Sequence, residues 1–299
     1  MNLPLLSARS QLLQQLRQFF LDRGFIETET PTLAREMIPE AHIDPVEIPG
    51  LGYLQASPEM QMKQVLCAGA TKLFQIGKSY RAGEQGNWHT PEFTMVEWYR
   101  VGDDLQQGID LIEQLLTQLA ATPPVTRTTY RKAFIRHAGF DPHTASLAEL
   151  SRDAEDPHVA TTRDEWLNYW LVKRVEPALG LDAPEVITHY PASQASLAAL
   201  TTDDQGTIVA ERFELYWRGV ELANGFYELT DVVELRERLE LANRQRVSRG
   251  APPLPLPTEL FRRMESPGLP PTTGVALGFD RLAMLILGAT TIDDVLWKA

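Results

Sequence analysis

The chain has one cysteine, Cys67, which rules out an intramolecular disulfide framework and a cysteine-built zinc site and leaves the thiol to serve as a small buried apolar residue. Long hydrophobic runs are also missing. The first apolar residues are broken by Pro4, Arg9 and Gln11, and no stretch reaches membrane-spanning length, so neither a secretory leader nor a membrane partner is expected and the chain reads as soluble and cytoplasmic. Positive charge is scarce: 28 lysines and arginines stand against 40 acidic residues, a net charge of −12. Long-range repulsion of this size works against docking a polyanion, although a local basic face can coexist with it. His137, His143, His158 and His189 lack metal-ligand spacing, and no internal repeat is visible.

What is present gathers in three segments. The first, Arg81-Ala-Gly-Glu84-Gln-Gly-Asn-Trp-His89-Thr-Pro-Glu-Phe93, joins two expected strands through a loop carrying Arg, Glu and His. Strand alternation places Phe93, Met95, Glu97 and Tyr99 on one face, an aromatic plate and a carboxylate on the same wall. An Arg fork suits an α-phosphate as it becomes five-coordinate, a loop His reaches outer phosphates, and a Phe covers a flat base. A polar hairpin with a half-buried Phe and a surface ion pair would show the same spacing.

In the second segment, Ala210 to Glu228, two apolar-rich runs meet at Arg218-Gly219. A two-residue turn there pairs Tyr216 with Glu221 and makes Glu214 the diagonal neighbour of Glu221, about 7–8 Å away by backbone. Two carboxylates so placed suit a hard divalent cation that also bridges phosphates; a solvated acidic face is the plain alternative. Glu228 falls on the opposite parity from Glu221, so bringing both into one pocket requires a kink, expected as a bulge at Gly225. The third segment, Gly274 to Gly288, reads as a strand turning into a short apolar helix closed by Gly288, with Arg281 near the helix start, where free amides favour an anion. An Asp280–Arg281 pair capping a core helix is the plain alternative.

Together these segments resemble motifs two and three and the metal-binding hairpin of class II aminoacyl-tRNA synthetases, in the lysine-specific branch. An upstream run fits motif one: Leu12, Leu13, Leu16, Phe19 and Phe20 form a helical stripe ended by Gly24, and Phe25 to Pro31 follows as a strand. The resemblance runs from about Leu5 to the end of the chain. In Ser57-Pro-Glu59, Pro191 to Ala198, Glu221 to Asp231 and Gly274 to Gly278 the chain resembles the freestanding elongation factor P (R)-β-lysine ligases more than the synthetases. Lysyl-tRNA synthetases usually have Ala and Gly where this chain has Ser57 and Ala276; an added hydroxyl and methyl alter where a carboxylate and its adjacent amine lie, one way to prefer a β-amino acid over an α-amino acid, with neutral packing drift the plain alternative.

The resemblance implies an α+β fold on a mainly antiparallel sheet flanked by helices, a homodimer built on motif one, and ATP and Mg2+ as co-substrate and cofactor. The acceptor it implies is elongation factor P, with (R)-β-lysine or lysine as the activated amino acid. Carried over, Arg81 holds the α-phosphate, Glu84 the adenine amine, Phe93 the adenine ring, His89 the triphosphate tail and Arg281 the γ-phosphate. Glu214 and Glu221 hold magnesium. Ser57, Glu59, Glu97, Tyr99, Asn224, Phe226, Glu228 and Ala276 line the amino-acid pocket, with Glu228 and Tyr99 on the ε-ammonium. Many relatives have a basic residue before the loop His, where this chain has Asn87-Trp88. The 299 residues are expected to form a single catalytic domain, with residues 127–180 a helical insertion and no anticodon-binding domain, and tRNA is not the expected partner. A freestanding ligase charging tRNA and a non-catalytic amino-acid sensor are the alternatives.

Between the motifs, Leu105, Ile109, Ile112, Leu116 and Leu119 mark a helix ended by Thr122-Pro-Pro. Trp166, Tyr169 and Trp170 read as core, and Ala251 to Pro257 as a stiff connector before a short helix.

Overall fold

The apolar stripe near the amino end forms the helix its spacing predicts. α1 (Leu3–Leu21) buries Leu12, Leu16, Phe19 and Phe20, and Gly24, at φ +74°, supplies the left-handed residue that ends it. In this computed structural model, which describes residues 3–156 and 158–297, the chain is α+β and forms two compact units. One comprises the residues up to Asp104 together with those from Leu229 onward; the other is Leu105–Glu228.

In the first unit, β1 (Ile26–Glu27) runs parallel to β5 (Lys72–Tyr80) after two short strands and a hairpin partner, β2 (Leu33–Ala34), β3 (Val46–Ile48) and β4 (Gly52–Leu54), which form a separate small sheet in the order β2-β4-β3. β1 is shorter than the strand expected over Phe25–Pro31. Thr28 N–H still bonds Phe74 O at 2.8 Å, but Thr30 N–H goes to the Gln75 side chain at 2.9 Å, and Pro31 has no N–H to continue the ladder. α2 (Glu59–Cys67) precedes β5, and β6 (Glu92–Val101) pairs antiparallel with β5, Phe93 opposite Ser79 and Glu97 opposite Gln75. One face of this pair meets α1, where Phe20 stacks on Phe74 at 4.9 Å and touches Trp98 at 5.1 Å. The alternation of a strand therefore leaves Phe93, Met95, Glu97 and Tyr99 on the other face.

The second unit opens with α3 (Leu105–Ala120) and β7 (Thr126–Thr129), followed by α4 (Tyr130–His137), α5 (Leu147–Ser151) and α6 (Arg163–Trp170). α5 and α6 each begin in a capping box, Ser146 with Glu149 and Thr162 with Glu165, which satisfies orphan amides at both ends of the reciprocal pair. Trp166 and Trp170 belong to the core with Tyr169 packed against it, and the Trp170 indole N–H donates to Leu150 O at 2.8 Å. β8 (Glu185–Pro191), β9 (Leu200–Thr202), β10 (Ile208–Trp217) and β11 (Val220–Tyr227) complete the unit. Here the order is β11-β10-β8-β7, with β9 also on β10; β7 and β8 are parallel and the other pairs antiparallel.

β10 and β11 meet as the spacing predicts. Arg218 and Gly219 have φ +53° and +75°, the positive pair of a tight hairpin turn, and Tyr216 faces Glu221. The kink is elsewhere than expected. The register shifts between Leu215 and Tyr216, which pair with Ala223 and Glu221, so Leu222 is the extra residue. Gly225 stays in register opposite Phe213, and its bare Cα makes room for that ring, because a Cβ there would run into it. One inserted residue reverses the parity, and Glu221, Asn224 and Phe226 stand opposite Tyr216, Glu214 and Arg212.

The chain then returns to the first unit through α7 (Val232–Ser248), α8 (Thr258–Glu265), β12 (Thr272–Gly278) and α9 (Phe279–Ile286). β12 pairs antiparallel with β6 and sets Ala276 opposite Glu97, giving the order β1-β5-β6-β12. Gly288, at φ +68°, follows α9 as expected. Among the described residues no helix is long and apolar enough to cross a membrane.

Gly225→Ala should destabilise the protein by about 1–3 kcal/mol through overpacking against Phe213, read as a lower urea midpoint. Adding Phe213→Leu should recover part of the loss. An unchanged midpoint in the single variant would remove the close-approach explanation for this glycine.

Candidate active site

The face of β6 turned away from α1 carries a carboxylate that cannot be left bare. Glu97 is 1 % exposed, and each of its oxygens has a donor: Ser57 Oγ–H reaches Oε2 at 2.6 Å and Tyr99 O–H reaches Oε1 at 2.7 Å. Ser57 Oγ in turn accepts the Glu59 N–H at 3.1 Å, at the start of α2. One turn further on, buried Lys63 pairs with Glu59 Oε1 at 2.6 Å. A small cavity lined by Gln55, Ser57, Glu59, Met60 and Gln61 opens beside these groups. Two acidic side chains, Glu59 and Glu97, held by fixed donors make this face suited to an amine-bearing ligand.

At the other end of the same face, the Arg81 guanidinium lies 5.1 Å from the Phe93 ring centroid and 3.5 Å from Glu84 Oε1. The loop between β5 and β6 is closed by reciprocal bonds between Gly86 and His89. Arg281, in the first turn of α9, donates to Trp88 O at 3.1 Å and lies 2.6 Å from His89 Nε2. A guanidinium has only donors, so His89 Nε2 is the acceptor in this contact. Asn87 and Trp88 thus act through their backbones, Asn87 O accepting the Ile292 N–H at 2.8 Å. Asp280 pairs not with its neighbour Arg281 but with Arg9 of α1. In this unit Arg81, Glu84 and Phe93 are linked by direct contacts, His89 and Arg281 form a separate pair, and Ser57, Glu59, Glu97 and Tyr99 form a further linked group, with Ala276 opposite Glu97.

The second unit collects its own set on the face created by the bulge. Glu214, 6 % exposed, accepts from Tyr190 O–H at 2.6 Å and Tyr216 O–H at 2.5 Å on Oε2, and Oε1 is ion-paired with Arg212. Arg212 also donates through Nε to Asn224 Oδ1 at 3.2 Å and through Nη1 to Gln194 O at 2.8 Å. Its guanidinium stacks 4.5 Å over Tyr190 and lies 5.8 Å from Phe226. Burial pulls the Arg212 ionisation down, but the charge of Glu214, then those of Tyr190 and Glu221, hold it above the usual arginine value. Glu228 is 1 % exposed and bridges Ala198 through the backbone. Among the described residues no group of three or more His, Cys, Asp or Glu side chains is arranged for a metal. Both Glu214 oxygens are thus already met by donors, with Arg212 supplying the cation at this face and the charge of Glu221 acting on the same guanidinium.

Sequence reasoning missed Arg212, Tyr216, Tyr190, Gln194, Lys63 and Arg9. Arg212 and Tyr216 lie two residues on either side of Glu214 in a strand, so alternation alone puts them on its face. Lys63, four residues after Glu59, is equally legible once α2 is drawn. Tyr190 and Gln194 arrive from elsewhere in the fold and carry no local signal.

Burial pushes the phenols of Tyr190 and Tyr216 well above their ordinary value, and the nearby Glu214 charge adds to the shift. A phenol whose pKa is raised on folding contributes stability that is complete below its unfolded value, near pH 10, and is lost as pH rises towards the folded value. Urea midpoints should therefore fall as pH rises above about 10, and less so in Tyr190→Phe/Tyr216→Phe. Phenolate absorbance from these two residues at pH 11 in the folded protein would contradict this account.

The family described as "tRNA synthetases class II (D, K and N)" matches residues 3–297. The elongation factor P--(R)-beta-lysine ligase of Yersinia enterocolitica is 42% identical over 303 residues, covering 96% of this chain and 92% of that protein. The protein of the same name from Salmonella typhi is 41% identical over 310 residues, covering 99% and 94%, and one from Klebsiella pneumoniae is 42% identical over 309 residues, covering 98% and 94%. With its whole described length matched and its strands, turn and site residues laid out as above, the chain belongs to the class II tRNA synthetase family of the D, K and N type.

Proposed function

We propose that the chain is an ATP-dependent, AMP-forming ligase that activates (R)-β-lysine and transfers it to a lysine side chain of elongation factor P. The observation that carries this reading is the near full-length identity to proteins named for that activity. The linked groups on β6 support it, because an acidic face with fixed donors and an Arg–Phe–Glu cluster are what a diamine and a nucleotide require.

In the first step a carboxylate oxygen of (R)-β-lysine attacks the α-phosphorus of ATP, the bond to the β-phosphate breaks, and pyrophosphate leaves. Arg81 lies on the α-phosphate, leaving Phe93 for the adenine ring and Glu84 for its amine, while His89 and Arg281 hold the outer phosphates. Arg281 and His89 already touch, so incoming phosphate oxygens replace a pair that is poised, and the loop needs no large search to find them. Glu97 and Tyr99, with Glu59, serve the amino acid from the first unit, and the resemblance assigns the same substrate to Asn224, Phe226 and Glu228 of the second. Mg2+ would be held by Glu214 and Glu221 and would supply positive charge to the phosphates. In the second step the acceptor amine nitrogen attacks the acyl carbon, AMP departs with the bonding electrons, and the amine loses a proton to give a stable amide. The reading places the enzyme in the cytoplasm as a homodimer assembled through α1 and the strand after it.

Incubation with ATP, (R)-β-lysine and unmodified elongation factor P, followed by intact mass measurement, tests the acceptor. A mass increase on the factor is expected. Label from the amino acid appearing mainly as an alkali-labile ester on tRNA would replace this reading by a freestanding tRNA ligase.

Arg81→Ala or Arg281→Ala should lower amino-acid-dependent ATP–pyrophosphate exchange by a factor on the order of 10² or more, with the fold intact by circular dichroism. Near wild-type exchange in either folded variant would remove the assignment.

Selectivity is assigned to Ser57 and Ala276, which approach Glu97 from α2's leading turn and from β12. Ser57→Ala with Ala276→Gly should move the ratio of exchange rates from (R)-β-lysine towards α-lysine by about tenfold. If that ratio stays fixed, neither position sets the preference.

A further inference from the structure

α1 contributes one guanidinium to the interior. The Arg9 side chain is 11% exposed and pairs with Asp280 Oδ1 at 2.5 Å; the same Nη2 reaches Thr94 Oγ1 at 3.2 Å. Asp280, 1 % exposed, uses its other oxygen to accept the Thr94 backbone N–H at 2.7 Å. The guanidinium also lies 4.7 Å over the Phe279 ring. A single side chain thus fastens together α1, the start of β6 and the first turn of α9.

Those fastened points adjoin the nucleotide residues. Thr94 follows Phe93 and Asp280 precedes Arg281. α9 starts at a glycine N-cap with no side-chain cap, and the Asp280 carboxylate in its first turn is turned outward, bonded to the backbone of β6. Unpaired, the buried Asp280 carboxylate would be costly in that place, and Arg9 is the cation that pairs with it beside the strand.

We infer that Arg9 is a positioning residue for the nucleotide: through Asp280 and Thr94 it sets the spacing between Phe93 and Arg281 without touching ATP. This rests on the proposed function, which places the adenine ring on Phe93 and the γ-phosphate on Arg281. A plain core ion pair would affect folding stability alone. A positioning residue changes the ATP parameters in protein that is still folded.

The test is ATP–pyrophosphate exchange, with thermal melts, in Arg9→Met, Arg9→Lys, Arg9→Met/Asp280→Asn and Arg281→Ala. Arg9→Met should raise KM for ATP about tenfold while KM for the amino acid stays within about twofold. Arg9→Lys should recover part of the loss, since an ammonium can pair with Asp280 but lacks the planar guanidinium that lies over the Phe279 ring. The double variant strands no charge, and the side-chain amide it introduces at position 280 can still accept the Thr94 N–H, so its melting temperature should rise above that of Arg9→Met while KM for ATP stays raised. An unchanged KM for ATP in the folded double variant, with Arg281→Ala inactive, overturns the role of Arg9 and leaves the functional reading standing. Exchange retained in Arg281→Ala overturns that reading, and the role of Arg9 with it.

Discussion

A carboxylate removed from water must be met by donors, and that requirement organises both units. Glu97, Asp280 and Glu214 are each at most 6 % exposed, and the effective penalty for burying such a charge is several kcal/mol per ion. The fold answers each one differently. Glu97 takes two hydroxyls, Asp280 takes a guanidinium and a backbone amide, and Glu214 takes a guanidinium and two phenols. Each solution draws donors from at least two elements, so the polar groups that give the site its chemistry also join the elements that carry it.

The bulge in β11 is the second constraint. Without the extra residue at Leu222, the strand would present Glu221 on one side and Asn224 and Phe226 on the other. With it, all three share the face of Arg212, Glu214 and Tyr216. Gly225 keeps this arrangement packed by yielding its side-chain volume to Phe213. Strand parity is an all-or-none property, and one inserted residue is the smallest change that can reverse it.

Local features were legible in the amino-acid sequence where they depend on near neighbours. The stripe of α1, the Arg218-Gly219 turn, the pairing of Tyr216 with Glu221 and the shared face of Phe93, Glu97 and Tyr99 all follow from period and turn chemistry. The position of the bulge was not legible, because a glycine inside a strand is a sign of close approach as often as of a kink, and Gly225 makes room for the Phe213 ring. The truncated strand after Phe25 escaped for a similar reason: the Gln75 side chain, 45 residues beyond Thr30, captures the amide that would have extended it. The partners of Glu214 divide along the same line, with Arg212 and Tyr216 readable by alternation and Tyr190 known only from the fold.

Ser57 shows how much can hang on one proton. Its hydroxyl has a single hydrogen, and that hydrogen is committed to Glu97 Oε2; a lone pair on the same oxygen receives the amide of Glu59. The polarity of the chain of bonds is therefore set in one direction, from the first amide of α2 through the hydroxyl to the carboxylate. The oxygen at once accepts the first amide of a helix and is a ligand of a buried anion. Two partners on separate elements share one rotor, and turning it to suit either would break with the other, so the start of α2 and the middle of β6 are held in register by a single torsion angle.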